Sequence, residues 1–295
     1  MLAGGDGVRL RELTRLISCA PIPKQYCRIL GNRSLLETTL ARIAPLVARE
    51  RTLVIVNRSH LELAWPQLAA LPARNVLVQP ENRDTGPGVL FNLLALARRQ
   101  PGAMVALFPS DHHVGDERRF RSHVARMARL VDEHPEKMAL LGVEPDRPEG
   151  GFGYILPGKR LSSATGDAAF HVVSFHEKPT PSPAARIVGR HALWNSFVMV
   201  FRLSRMLELL HQVRPAGTSR LARLLHDPDA LVAAYPSIAP WNFSRDFLAR
   251  IPEHLAVVRA VEVGWSDWGT PEAIEQTLAG MGVFPPWQAP LRAAG

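Results

Sequence analysis

The strongest constraint on the fold is a regular alternation of short apolar runs with segments of helical periodicity. The apolar runs are predicted as buried strands and comprise residues 52–57, 75–79, 104–108 and 138–143. Between them, residues 85–99 and 116–134 place apolar side chains at helical spacing. This order predicts βαβ units, and hence an α/β fold with a mostly parallel sheet and helices on both faces. Ligands of such sheets bind outside the carboxyl ends of the strands.

The second half of the chain is less regular. Residues 152–156 and 170–175 are predicted as strands of a hairpin or lid, divided by turns at Pro157-Gly158 and residues 162–166. The remaining predicted elements are strands at 196–201 and 256–263 and helices at 203–213, 219–226, 244–251 and from Pro271 onward. This part is predicted to be a mixed β/α half that faces a ligand. Because no linker or repeat interrupts the sequence, residues 1–295 are predicted to form a single domain.

Composition and charge exclude several classes of protein. The chain carries 35 Lys and Arg against 27 Asp and Glu, a net charge of +8, but the basic residues stand singly or in pairs. That distribution favours anionic small molecules over nucleic acid. No apolar run is long enough for a membrane span, and charges interrupt the first 20 residues, so the protein is predicted to be cytoplasmic. Cys19 and Cys27 match neither a zinc nor a redox spacing and are predicted to be reduced thiols.

A cluster of glycines near the start of the chain is the first candidate site. Gly4, Gly5 and Gly7, here called the glycine loop, allow the backbone to approach a ligand closely and to offer N–H groups to phosphate oxygens. Arg9 lies beside them, and Lys24, one of only four lysines, follows shortly after. The loop is neither a P-loop nor a complete Gly-x-Gly-x-x-Gly motif, and a tight turn alone could require the same glycines.

Two aspartates follow predicted buried strands. Asp111 comes shortly after the run 104–108, and Asp267 comes shortly after the last predicted strand. Two hard carboxylate ligands at strand tips, completed by phosphate and water, are what a Mg²⁺ ion shared with a nucleotide requires. The adjacent His112 and His113 would face opposite sides of a strand, so they are not predicted to be metal ligands.

Eight short motifs follow one another within the first 269 residues. They are the glycine loop with Arg9, Pro23-Lys24-Gln25, Arg83-Asp84-Thr85-Gly86-Pro87, Pro109-Ser110-Asp111-His112, Gly151-Phe152-Gly153-Tyr154-Ile155, Phe175-His176-Glu177-Lys178-Pro179, Trp194-Asn195-Ser196 and Gly264-Trp265-Ser266-Asp267. In this order they resemble the motifs of the sugar-1-phosphate nucleotidyltransferases, and most of all those of the mannose-1-phosphate guanylyltransferases. The resemblance implies a Rossmann-like fold of the nucleotide-diphospho-sugar transferase type and an enzyme that transfers GMP from GTP to mannose 1-phosphate.

The resemblance also implies a role for each candidate residue. The catalytic residues would be Arg9, Lys24 and Asp111. The ligands of Mg²⁺ would be Asp111 and Asp267. The residues that contact the nucleotide would be Gly4, Gly5, Gly7, Arg83, Thr85 and Pro109. The residues that contact the sugar phosphate would be Gly153, Glu177, Lys178 and Asn195. The expected partners are these small-molecule substrates, without nucleic acid or membrane, and a homodimer is compatible with the resemblance.

Several features depart from the family pattern, including about three extra residues around positions 17–21. Only Met1, Leu2 and Ala3 precede the glycine loop, which indicates a first strand truncated at the N-terminus. Asp84 stands where the family tends to have Asn, and His176 stands where an apolar residue is common. The choice of base and sugar stays open, because a glucose-1-phosphate thymidylyl- or uridylyltransferase fits the same motifs. A weakly active regulatory protein that binds nucleotide sugars fits them as well.

Overall fold

The computed structural model describes residues 1–163 and 168–288, and these form eleven β-strands and eleven α-helices. The strands are β1 (Leu2–Ala3), β2 (Val54–Asn57), β3 (Val76–Gln79), β4 (Met104–Leu107), β5 (His113–Val114), β6 (Met138–Val143), β7 (Gly153–Leu161), β8 (Ala169–Glu177), β9 (Leu193–Arg202), β10 (Leu255–Ala260) and β11 (Trp265–Ser266). The helices are α1 (Arg11–Ser18), α2 (Leu35–Ile43), α3 (Leu61–Gln67), α4 (Thr85–Ala97), α5 (Glu117–Glu133), α6 (Pro181–Val188), α7 (Leu203–Val213), α8 (Pro215–Leu224), α9 (Pro228–Ala234), α10 (Phe243–Asp246) and α11 (Pro271–Gly280).

The strands pair in parallel at the start of the chain and in both directions later. β1 pairs in parallel with β2 and β2 with β3, and a bridge from Leu2 to Pro109 joins β1 to the chain that leaves β4. The larger sheet has the order β4-β9-β6-β10-β8-β7, in which β6 and β10 are parallel and β9 is antiparallel to β4 and β6. The predicted α/β fold and its mixed second half are confirmed. More pairings are antiparallel than a mostly parallel sheet would have, because the β7–β8 hairpin and β9 reverse the chain direction.

Helices cover both faces of the sheet, as predicted. Along β6, Met138 and Leu140 pack into one apolar cluster with side chains of α4, α7 and α8. Ala139 and Leu141 pack into a second cluster with side chains of α2 and α5. Because successive side chains of a strand point to opposite faces, a strand covered on both sides appears in the sequence as one continuous apolar run.

Two local predictions are wrong. Pro157 and Gly158, predicted as a turn, lie within β7 at a place where the register with β8 shifts, and such irregularities tolerate a residue without an N–H group. The predicted helix 244–251 is broken into the single turn of α10 and a 3-10 turn at Leu248–Arg250, because Phe247 between them leaves the helical dihedral angles. The predicted turn at residues 162–166 lies partly outside the described residues.

Two further observations concern the cysteines and the apolar helices. Cys19 is exposed and Cys27 is buried, and both are free. Within residues 1–163 and 168–288, no helix combines the length and the apolar character needed to cross a bilayer.

His123 is a buried titratable group that connects α5 to the end of β10. Its ring nitrogen Nε2 accepts a hydrogen bond from the Val261 N–H at 3.2 Å, and burial lowers its pKa below 6.5. Since the unfolded chain binds this proton more readily, the free energy of unfolding should decrease as the pH falls through 6.5. His123→Gln keeps an acceptor but does not titrate, so its unfolding free energy should approach that of the unsubstituted protein between pH 7 and pH 5. Urea unfolding at each pH measures the free energy of unfolding of both proteins. A difference between them that stays constant from pH 7 to pH 5 would contradict the prediction.

Candidate active site

A cleft of about 280 Å³ opens where β1 and β4 end. Its lining residues from the first half of the chain are Leu2, Ala3, Gly4, Gly5, Arg9, Gln25, Thr85, Pro109, Ser110, Asp111 and His112. Its lining residues from the second half are Gly151, Phe152, Gly153, Glu177, Lys178, Asn195, Phe197, Asn242, Ser244, Trp265 and Asp267. The cleft therefore lies at the edge of the sheet where an α/β fold is expected to bind its ligand.

The glycine loop leaves β1 and is held in place by two side chains from the segment after α1. Gln25 Nε2 donates hydrogen bonds to the carbonyl oxygens of Ala3 at 3.1 Å and Gly5 at 2.7 Å. The Tyr26 hydroxyl donates a further hydrogen bond to Ala3 O at 2.8 Å. Gly7 has a left-handed φ of +59°, a conformation that glycine adopts without steric cost. These contacts fix the path of the loop along one side of the cleft.

Lys24 connects the two segments that carry the predicted metal ligands. Its buried ammonium group lies 3.3 Å from Asp111 Oδ2 and donates to the carbonyl oxygen of Asp267 and, at 3.0 Å, to that of Trp268. An ammonium group has three N–H donors, so these three partners account for all of them. The fold thus brings Lys24 into contact with Asp267, which lies 243 positions away in the chain.

The Asp111 carboxyl group is stabilised in its ionised form. Burial by itself raises the pKa of this group, but the Lys24 ammonium, together with His112, outweighs burial and holds the pKa below its ordinary value of 3.8. Asp267 Oδ1 accepts a hydrogen bond from the Gly269 N–H at 2.9 Å. A Cβ atom at position 269 would lie 2.5 Å from Asp267 Oδ2, so glycine there leaves room for the carboxylate.

The second half of the chain contributes a carboxylate, an ammonium group and an amide. Glu177 ends β8, and burial raises the pKa of its carboxyl group, against the opposing effect of the neighbouring Lys178. Lys178 has a left-handed φ of +47°, and its N–H donates to Phe152 O at 3.1 Å. Asn195, buried in β9, accepts a hydrogen bond from the Phe197 N–H at 3.1 Å. Backbone contacts therefore hold Lys178 and Asn195 where they line the cleft.

Most of the residues predicted from the sequence line this cleft, and three do not. Lys24 contacts Asp111 without lining the cleft, and Gly7 shapes the glycine loop from outside the lining. Arg83 is paired with Glu81, with 2.7 Å between Nε and Oε1, and is likewise not a lining residue.

Several lining residues received no role in the sequence analysis. Gln25, His112, Phe152 and Trp265 stand within the eight motifs, so the motifs already marked their positions. Asn242 and Ser244 were not predicted as site residues, because Ser244 stood at the start of a predicted ordinary helix and Asn242 belonged to no motif. Ser244 acts to lower the pKa of the Glu177 carboxyl group, against the larger effect of burial, and the Asn242 Oδ1 atom caps α10 through the Arg245 N–H at 2.9 Å.

Comparison with known proteins identifies the family. The family described as nucleotidyl transferase matches residues 1–281. The chain is 32% identical over 280 residues to mannose-1-phosphate guanylyltransferase ManC of Salmonella typhimurium, covering 92% of this chain and 57% of ManC. It is 31% identical over 279 residues to alginate biosynthesis protein AlgA of Pseudomonas aeruginosa, covering 92% of this chain and 56% of AlgA. The chain thus spans a little over half the length of these curated relatives.

Solved structures agree with this assignment. The structure named mannose-1-phosphate geranyltransferase from Thermus thermophilus is 30% identical, with a TM-score of 0.81, and the match covers 94% of this chain and 78% of that one. A putative glucose-1-phosphate thymidylyltransferase from Bacillus anthracis is 14% identical with a TM-score of 0.60, covers 96% of this chain and 94% of that one, and supports the fold alone. The chain belongs to the nucleotidyl transferase family, as its eight motifs predict.

Proposed function

We propose that the protein transfers GMP from GTP to mannose 1-phosphate, forming GDP-mannose and releasing pyrophosphate, with residues 1–295 as one catalytic unit. The observation that carries the proposal is the contact of the Lys24 ammonium with both Asp111 and the backbone of Asp267, beside a cleft that begins at the glycine loop. The choice of base and sugar is supported by relatives in Salmonella typhimurium and Escherichia coli that are named mannose-1-phosphate guanylyltransferases.

The charge of the cleft favours a divalent cation, which we propose to be Mg²⁺. Three carboxylates line the cleft, those of Asp111, Glu177 and Asp267, against the cationic side chains of Arg9 and Lys178. Since both substrates are polyanions, they need further positive charge to bind there together. Asp111 and Asp267 offer the hard oxygen ligands that fit Mg²⁺, with substrate and water completing the coordination. Across the described ranges, no three His, Cys, Asp or Glu side chains form a closed metal site.

The proposed reaction needs no general base, because the attacking phosphate oxygen of the sugar phosphate is already anionic. That oxygen forms a bond to the α-phosphorus of GTP. The bond from the α-phosphorus to the bridging oxygen breaks, and pyrophosphate leaves with the electron pair. Bound Mg²⁺ would supply neutralisation of phosphate charge. The protein then acts by positioning and by electrostatic stabilisation of the transition state.

Each side of the cleft would hold one substrate. The glycine loop and Arg9 would bind the triphosphate, while Thr85 and Pro109 would lie along the base and ribose. Lys178 would bind the sugar phosphate, and the nearby carboxylate and amide, those of Glu177 and Asn195, would bind sugar hydroxyls. The homodimer, the cytoplasmic location and the independence of nucleic acid stay predictions.

A substrate panel tests the proposal. The purified protein with Mg²⁺ is given GTP, ATP, UTP or dTTP together with mannose, glucose or fucose 1-phosphate, and pyrophosphate release is measured. We expect kcat/KM for GTP with mannose 1-phosphate to exceed that of every other pair at least about tenfold. Turnover that favours dTTP or UTP with glucose 1-phosphate would assign the protein to a sister activity. Binding of GTP without pyrophosphate release from any pair would indicate a regulatory protein, and either result would contradict the proposal.

Gly153→Ala should weaken sugar-phosphate binding selectively. A Cβ atom at position 153 would lie 2.6 Å from Glu177 Oε2 and 3.0 Å from Phe175 Cζ, so Glu177 must move. We expect the KM for mannose 1-phosphate to rise about tenfold or more, with little change in the KM for GTP. The matched control is Gly150→Ala, whose Cβ would meet only Pro179 O, at 3.4 Å. Equal effects of the two substitutions on the KM for mannose 1-phosphate would refute the assignment of Glu177.

A further inference from the structure

The segments that carry Asp111 and Asp267 are joined by a very short ribbon. β5 and β11 pair antiparallel through two residue pairs, His113 with Ser266 and Val114 with Trp265. Two-stranded ribbons have little stability of their own in water. Side-chain contacts must therefore help to hold the two carboxylates in a fixed relation.

Two histidine–tryptophan contacts span this ribbon. The Trp265 indole Nε1–H donates a hydrogen bond to His112 Nδ1 at 3.3 Å, with the two rings edge to face at an interplanar angle of 81°. His113 stacks on Trp268, with ring centroids 4.7 Å apart and an interplanar angle of 9°. The first contact is a directed hydrogen bond, whereas the second is ring stacking.

The hydrogen bond from Trp265 also fixes the tautomer of the His112 ring. Because Nδ1 accepts a hydrogen bond from the indole N–H, the proton of the neutral imidazole ring lies on Nε2. Nε2 is the atom that faces Asp111, at 3.8 Å from Oδ1. The other carboxylate oxygen, Oδ2, lies 3.3 Å from Lys24 Nζ. Asp111 therefore faces an imidazole N–H group on one side, slightly beyond hydrogen-bond distance, and contacts an ammonium group on the other.

Trp265 also reaches the part of the cleft assigned to the sugar phosphate. Its ring centroid lies 5.6 Å from that of Phe152 and 6.4 Å from that of Trp194. The carbonyl oxygen of Phe152 in turn accepts a hydrogen bond from the Lys178 N–H. Trp265 thus contacts the sugar side of the cleft with its ring and the carboxylate side with its N–H group.

We propose that Trp265, acting through His112, is a positioning residue that orients the Asp111 carboxylate for the divalent cation it shares with Asp267. The inference rests on the proposed function, because it assumes that these carboxylates hold the cation. Groups that hydrogen-bond or orient metal ligands typically contribute tenfold to a hundredfold to metal affinity.

Mn²⁺ titration of the full chain, followed by the electron paramagnetic resonance signal of free Mn²⁺, tests the proposal. Mn²⁺ takes oxygen ligands as Mg²⁺ does. Trp265→Phe keeps an aromatic ring but removes the indole N–H, and it should raise the Mn²⁺ Kd about tenfold without a comparable loss of Tm. His112→Phe should have the same effect. Because both substitutions break the same Trp265–His112 contact, the Mn²⁺ Kd of the double variant should also rise about tenfold and not about a hundredfold.

Trp194→Phe is the matched control. Trp194 belongs to the same aromatic group, and among the described residues its buried indole N–H has no hydrogen-bond partner, so the substitution should leave the Mn²⁺ Kd within about twofold of the unsubstituted value. Asp111→Asn and Asp267→Asn test the metal site separately from the positioning role of Trp265. If they abolish Mn²⁺ binding while Trp265→Phe and His112→Phe do not weaken it, the positioning role is overturned and the metal site stands. If they bind Mn²⁺ like the unsubstituted protein, both the metal site and the positioning role are overturned.

Discussion

Asp111→Asn is expected to lower kcat for pyrophosphate release at least about a hundredfold without unfolding the protein. Asparagine has nearly the shape of aspartate but no charge. The substitution therefore removes both a ligand charge for the cation and the charge that meets Lys24 at 3.3 Å. The kcat is measured at saturating GTP, mannose 1-phosphate and Mg²⁺, and Tm is measured by calorimetry.

Asp229→Asn is the control for this prediction. Asp229 is exposed on α9 and does not line the cleft, so the same chemical change there should leave kcat unaltered. A kcat for Asp111→Asn within about threefold of the unsubstituted value would exclude a central role for this carboxylate, because electrostatic groups at reacting centres contribute far more.

Lys24→Met is expected to abolish activity and to lower the free energy of unfolding by about 2 kcal/mol. The substitution leaves the Asp111 carboxylate without its counter-ion and the carbonyl oxygens of Asp267 and Trp268 without a donor. The loss should be smaller than for a fully buried pair, because the Asp111 side chain is 30% exposed. Urea unfolding at pH 7 measures the free energy, and pyrophosphate release measures the activity.

Two further variants show how Lys24 acts. Lys24→Met combined with Asp111→Asn should recover most of the lost stability and none of the activity, because the two residues are directly coupled. Lys24→Arg should also be inactive, since a planar guanidinium cannot place its donors on the same three oxygens. An active Lys24→Arg variant, together with additive losses of stability in the double variant, would show that Lys24 acts only as a positive charge near phosphate.

The sequence predicts best those site residues whose position depends on the chain nearby. Asp111 follows a buried strand, and strand direction alone places it at the ligand-binding edge of the sheet. Glu177 follows the second predicted strand of the hairpin, and the antiparallel pairing of that hairpin places it opposite Gly153 at the cleft. The contacts of Lys24 could not be predicted, because they depend on the Gly7 turn and on the distant ribbon that carries Asp267.

Asn242 and Ser244 show where sequence reasoning ends. Their place in the cleft depends on the packing of the chain around Trp241 against the start of α4. The Gly86 N–H donates to Trp241 O at 3.0 Å, and a Cβ atom at Gly86 would lie 2.1 Å from the indole ring. Such a close approach between segments that are far apart in the chain has no local signal. The sequence shows a glycine at position 86, which allows another segment to approach closely, but it does not show that this segment contains Trp241.

The most direct test of the proposed chemistry is a ³¹P nuclear magnetic resonance spectrum of the protein with GTP, mannose 1-phosphate and Mg²⁺. We expect the signals of both substrates to decrease together, while those of GDP-mannose and pyrophosphate appear in equal amounts and only when Mg²⁺ is present. Release of orthophosphate from GTP with mannose 1-phosphate left intact, or an unchanged spectrum, would contradict it.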